Sequence, residues 1–358
     1  METRDRLWIG KALALILLLL FVRTFPKYEA MELDFARNTW RDIQTKFDHP
    51  LADLSRDFPA GSHISNSTFR ITVPAVARSF GLRQRGLMLL SAIAGVVLLF
   101  LILNLSLAIT SSRKIAFLVC LSAACTWSGE TAFHELRGGY YDAVALCLMV
   151  AAFAARSWPV AAVLLFLGAW TDERALVGAA FLLLFDLCRR GTAGWRSGAA
   201  FSALVAYFVV RMASTWILSY QLGPTGGVGL DLFVKQASFM PFAVLSALGG
   251  NWVVTGAGMG ALIAARRFGL AIGLGVSLIV LVLVSFSVAD ISRSLAYCLP
   301  AVFVALAAVA DNMPLTLQLE RGALPAGIVA LLLPAIYVEG SSGVYLLESL
   351  SMKLWAGM

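Results

Sequence analysis

A series of long apolar runs, each ended by a short charged cluster, governs what this chain can become. A stretch of roughly 20 apolar residues is the length that crosses a bilayer as a helix. Runs of this kind occupy about 7–23, 86–110, 115–129, 141–155, 159–171, 175–188, 198–220, 237–264, 268–288, 294–310 and 323–338. With 59% hydrophobic and 14% charged residues, the chain falls outside the class of ordinary soluble domains. The expected fold is all-α: a polytopic transmembrane helix bundle of about 11 spans, with one long extracytoplasmic loop after the first helix. The runs from 115 to 188 are too short to cross about 30 Å of hydrocarbon upright, so several are expected to end in a recessed, watery cavity.

Basic residues set the sidedness. Arg4, Arg6 and Lys11, then Arg113-Lys114, Arg156, Arg189-Arg190 with Arg196, and Arg266-Arg267 all fall between alternate runs, which assigns them to the cytoplasm. The N-terminus is then cytoplasmic, in a bacterial inner membrane. Residues 1–23 read as a retained signal-anchor helix, because Arg23-Thr-Phe-Pro26 is not a small-residue cleavage site. The remaining regions are an extracytoplasmic loop at 24–85 with amphipathic helices, a multi-span bundle at 86–338, and an amphipathic tail at 339–358 lying along the outer surface.

That assignment gathers Glu130, His134, Glu135, Arg137, Asp142, Asp172, Glu173, Arg174, Asp290 and Arg293 at the outer ends of the runs. Acids, bases and a histidine collected at one face point to an enzyme whose site lies at that surface. Local explanations compete with this. Asp172-Glu173-Arg174 also reads as a tight turn with its own ion pair, and Asp290 with Arg293 as an i,i+3 capping pair. Glu130 and His134 share a helix face at i,i+4, as an acid–base pair or as ordinary polar caps. Arg211 lies well inside its run, where a charge is functional unless it snorkels outward.

Other chemistries lack support. The net charge of +7 suits anionic lipid and gives no argument for nucleic acid. The five cysteines sit in apolar runs without CxxC or zinc spacing, and no glycine loop is present to cradle ATP. Metal ligation is unassigned, with a divalent ion left open. The two halves show no matching Gly/Pro-broken helices, which speaks against a transporter.

Within the loop, Ala30–Thr45 (AMELDFARNTWRDIQT) has the spacing of an interfacial helix, followed by Phe58–His63 and then Phe69–Ala77 (FRITVPAVA). These segments, with Thr171–Ala175 (TDERA) and Asp290-Ile-Ser-Arg293 ahead of Tyr297, resemble the C-type glycosyltransferase-like (GT-C) membrane proteins. The resemblance implies transfer of a sugar from a polyprenyl-phosphate-linked donor to an acceptor at the outer membrane face. It puts the catalytic base soon after the first helix, at Asp34 or Glu32, although the paired Asp-Glu of many relatives is absent here. Such a reaction needs cations on the departing phosphate, for which Arg37, Arg70, Arg174 and Arg293 are candidates. His63, Glu130, His134, Asp142, Asp172, Glu173 and Asp290 are the further substrate-binding candidates. A transporter or flippase for a lipid-linked or small polar substrate, and a non-catalytic assembly partner, are the alternatives.

Overall fold

Helices, most of them apolar, build almost all of the described residues. The first, α1 (Thr3–Thr24), has Asp5 in its first turn and Arg23 in its last, the favourable order for a helix dipole. Two short helices follow, α2 (Trp40–Asp48) and α3 (Thr72–Phe80). Helix α3 stops at Gly81, whose φ of 61° is open to glycine at no steric cost. The long α4 (Gln84–Thr110) then runs to Ser111, and Ser112 starts α5 (Arg113–Ala124) by accepting the Ile115 N–H. Next come α6 (Trp127–His134), α7 (Asp142–Ala154) and α8 (Trp158–Ala169). A 3-10 turn at Glu173–Leu176 leads into α9 (Val177–Arg190) and α10 (Trp195–Ile217). The rest comprises α11 (Leu230–Gln236), α12 (Met240–Leu248), α13 (Asn251–Ala264), α14 (Phe268–Phe286), α15 (Ile291–Leu295), α16 (Pro300–Asn312) and α17 (Leu317–Leu332). This computed structural model describes residues 3–24, 40–54, 68–134, 141–218, 220, 230–288, 290–312, 317–332, 336–339 and 343–346.

Among the described residues, four helical segments are long and apolar enough to cross a membrane: Gln84–Thr110, Trp195–Ile217, Phe268–Phe286 and Ile291–Asp311. The count rises to six if two bent pairs each form one span. Helices α7 and α8, of 13 and 12 residues, are too short to cross upright, as their short runs imply.

The bundle is organised around Ile291–Asp311, which is 89% buried, whereas Trp195–Ile217 is only 17% buried. A helix apolar on every side and enclosed by others is a core helix, and one with an apolar exposed face suits lipid. Helix α16 packs most closely on α13 because Gly258 lets the backbones approach: a Cβ there would lie 2.4 Å from the Ala305 Cα. Phe153 meets both Phe185 and Phe303 at ring distances of 5.7 and 5.8 Å, joining α7, α9 and α16 into one core.

Two features depart from the apolar pattern. The run at 115–129 is bent by 61° between α5 and α6, and the run at 237–264 by 84° between α12 and α13. The run expected as a helix over 323–338 ends at Leu332. Beyond it, strand β1 (Ile336–Glu339) pairs antiparallel with β2 (Gly343–Leu346), Tyr337 opposite Tyr345. The start of the expected amphipathic tail is therefore a β-hairpin rich in β-branched and aromatic residues, which favour pleated pairing.

Candidate functional site

The site starts from the turn after α8. Thr171 caps the helix by bonding the Leu167 carbonyl, and Asp172 accepts the Arg174 N–H at 3.0 Å to start the 3-10 turn. The same carboxylate grips the Arg174 side chain twice, at 2.7 Å from Nε and 2.6 Å from Nη2. The turn does contain its own ion pair. It also reaches outward: Arg174 donates to Asp142 at 3.2 Å and to the Ser294 hydroxyl at 3.0 Å, and lies over the Tyr297 ring.

Asp142 begins α7, and Arg293 belongs to α15. Arg293 holds Asp142 through Nε at 2.5 Å and Nη2 at 3.1 Å, and Asp290 through Nη1 at 2.7 Å. Arg70, just ahead of α3, closes on Asp172 at 3.3 Å and on Glu173 at 3.6 Å. Neighbouring backbone fixes that approach, since Ile71 and Thr72 both donate to the Trp170 carbonyl. Three guanidiniums thus meet four carboxylates in one network at one end of the bundle.

Burial makes this network demanding. Asp172 is fully enclosed, and Arg293 and Asp142 are almost so. Buried charges persist only when paired and hydrogen-bonded with good geometry. Burial pushes the Asp172 carboxyl upward, but Arg174 and Arg70 more than reverse this and hold it well below the usual carboxylate range. A carboxylate kept ionised in that way is a poor proton acceptor. The exposed members are Glu173, with 40% of its side chain open, and Asp290, with 23%.

Six sequence-selected residues come together here: Arg70, Asp142, Asp172, Glu173, Arg174 and Arg293, with Asp290 at the edge. Glu130 goes elsewhere. It pairs with Arg23 at 3.0 Å, and the same guanidinium donates to the Cys125, Ala330 and Leu331 carbonyls. His134 lies at the end of α6, but its side chain is outside the described residues. Glu32, Asp34, Arg37 and His63 also lie outside them. Among the described residues, no group of three or more His, Cys, Asp or Glu is placed to hold a metal ion.

Several contributors were not singled out by spacing. Arg23 sits at the end of the first run, where a lone arginine reads as a flank rather than a partner for Glu130. Ser294 carries no pattern of its own. Arg211, within α10, lies 4.0 Å from the centre of the Phe69 ring and bonds the Tyr207 hydroxyl. It thereby joins an aromatic cluster of Phe69, Trp170, Tyr207 and Tyr220 beside the network. Tyr220 in turn donates to the Leu51 carbonyl, tying 51–54 to the same end.

The two bends form a second polar feature. Gly249, with φ 52°, sits so close to Thr126 that a Cβ would lie 3.2 Å from the threonine methyl. Ser122 donates to the Leu248 carbonyl, and Asn251 to the Val119 carbonyl at 3.1 Å. The breaks therefore pack against each other, and Ser122 satisfies the Leu248 carbonyl that Trp252 would take in a continuous helix. Two bent helix pairs therefore stand where the sequence shows two apolar runs.

Comparison with known proteins returns no matching family model, no similar curated protein and no similar solved structure.

Proposed function

We propose that this chain is a polytopic membrane glycosyltransferase of the GT-C type. It would move a sugar from a polyprenyl-phosphate-linked donor to an acceptor at the outer face of the bacterial inner membrane. On this reading the N-terminus is cytoplasmic and the chain makes about eleven passes. The observation that carries the reading is the seven-residue ion network, into which Arg70 ties the segment between α1 and α4. In it, Arg174 grips Asp172, the carboxylate that also holds Arg70, and so acts as a positioning residue for Arg70, while Arg293 fixes Asp142 and Asp290. Asp34, or Glu32, supplies the base for the acceptor hydroxyl, and Arg37 with Arg70 holds phosphate.

The test is transfer of a labelled sugar from a polyprenyl-phosphate donor by the purified chain in proteoliposomes. Asp34→Asn should lower turnover by roughly 100-fold while donor binding survives. Unchanged turnover would move the role to Glu32. Absence of transfer by the wild-type chain over a panel of donors and acceptors would remove the transferase reading.

A second reading, a transporter or flippase for a lipid-linked or small polar substrate, is supported by the contact between the two helix breaks at Thr126 and Gly249. The discriminating observation is movement of labelled donor across the bilayer without acceptor. If Gly249→Ala slows that movement and no sugar is transferred, the transporter reading replaces the enzyme.

A further inference from the structure

A cavity of about 410 Å³ opens between α2 and the turn joining α3 to α4. It is lined by Gln44, Phe47, Asp48, Arg78, Leu82 and Arg83, with Ala77 and Gly81 completing the wall. That volume falls within the range of roughly 300–1,000 Å³ typical of small-molecule sites. We infer that this cavity binds the phosphodiester headgroup of an anionic membrane lipid, separately from the ion network and independently of any transferase activity.

The turn creates the site. Left-handed Gly81 reverses the chain, with Leu82 N–H returning to the Ala77 carbonyl at 2.8 Å. Arg78, in the last turn of α3, and Arg83, at the cap of α4, are thereby brought to the rim of one cavity. Both are exposed, and neither forms an ion pair among the described residues. One part of the wall is apolar: Phe47 and Ala77 are buried and pack with Val73, Leu87 and Tyr141. Two guanidiniums above an apolar floor fit a phosphate that carries a glycerol or similar backbone.

Exposed apolar surface beside the cavity suits contact with lipid. Phe80 is 76% exposed beside the cavity, and an exposed stripe of Leu89, Ile93, Val97 and Phe100 descends α4 from it. A lipid with its headgroup in the cavity can lay its chains along that stripe. Asp48 selects the charge state. It accepts from Gln44 at 3.1 Å and leaves the lining one positive charge in excess, which suits a monoanionic diester better than a free phosphate dianion.

The test is native mass spectrometry of the purified full chain with added phosphatidylglycerol, phosphatidylcholine or inorganic phosphate. The wild-type chain should retain one phosphatidylglycerol under conditions that strip phosphatidylcholine. The variant with Arg78→Gln and Arg83→Gln should lose that retention by about tenfold or more with its thermal midpoint unchanged. Both positions are exposed, so the fold should survive. Asp48→Asn should newly allow inorganic phosphate to displace the lipid. Equal lipid retention in the wild type and the double arginine variant would overturn the site. Displacement of lipid from the wild type by inorganic phosphate would overturn the diester assignment.

Discussion

Arg293 and Asp142, 151 residues apart in the chain, meet through two hydrogen bonds of 2.5 and 3.1 Å in a setting that excludes water from both side chains. This fork-to-carboxylate contact joins the first turn of α7 to α15, and so ties a short core helix to the central segment. The surrounding network resembles a brace with two open carboxylates at its rim.

A brace makes a specific prediction. Arg293→Ala leaves Asp142 buried without its main partner and should cost about 3–5 kcal/mol in thermal or chemical unfolding in detergent. Removing both charges together, as Asp142→Leu with Arg293→Met, should cost clearly less than Arg293→Ala alone. A double variant as unstable as the single one would show that the ion pair is not the source of the loss.

The Arg23–Glu130 pair should respond asymmetrically. Arg23→Gln strips Glu130 of its counter-ion and also abandons carbonyls of Cys125, Ala330 and Leu331. Glu130→Gln leaves those carbonyl contacts in place, with the guanidinium still at the carboxyl ends of helices. The arginine variant should therefore melt earlier than the glutamate variant, and the reverse order would refute the assignment.

Lys46 should impose a pH dependence on stability. Its ammonium is buried between the Ala52 and Thr68 carbonyls, and burial lowers its pKa from an ordinary 10.5 to about 7, against the opposing pull of Asp53. Between these values the unfolded chain holds a proton that the folded chain has released, so stability rises with pH across that window. The cost is fully present below about pH 7 and gone above about pH 10.5. Thermal midpoints measured from pH 6.5 to 9.5, a window set by the expected rise, should climb in the wild type. The slope should flatten in Lys46→Met.

The helix breaks and close contacts can be tested at glycine. Gly249→Ala combines a left-handed backbone with a Cβ 3.2 Å from Thr126, and should cost about 1–3 kcal/mol. Thr126→Ser removes the methyl and should restore part of that loss, because only the steric share is relieved. At Gly258 the obstacle is the Ala305 backbone rather than a movable side chain. Gly258→Ala should therefore be the more damaging change, and equal midpoints for the two alanine variants would contradict this.

How much of this was written in the sequence depends on the range of the forces involved. The helices at Gln84–Thr110, Trp195–Ile217 and Phe268–Phe286 lie within a few residues of their apolar runs, because backbone hydrogen bonding in an apolar segment is satisfied locally. The gathering of Asp142, Asp172, Arg174 and Asp290 at one end of the runs was legible for the same reason: charges leave apolar stretches at their ends. Tertiary structure alone decided which charge meets which. Nothing local distinguishes Glu130, which turns to Arg23, from Asp142, which turns to Arg293 and Arg174. It also decided the bends at Thr126 and Gly249, since hydropathy is nearly continuous through both. The breaks are held by contacts from distant parts of the chain, Ser122 reaching the freed Leu248 carbonyl and Arg23 the freed Cys125 carbonyl.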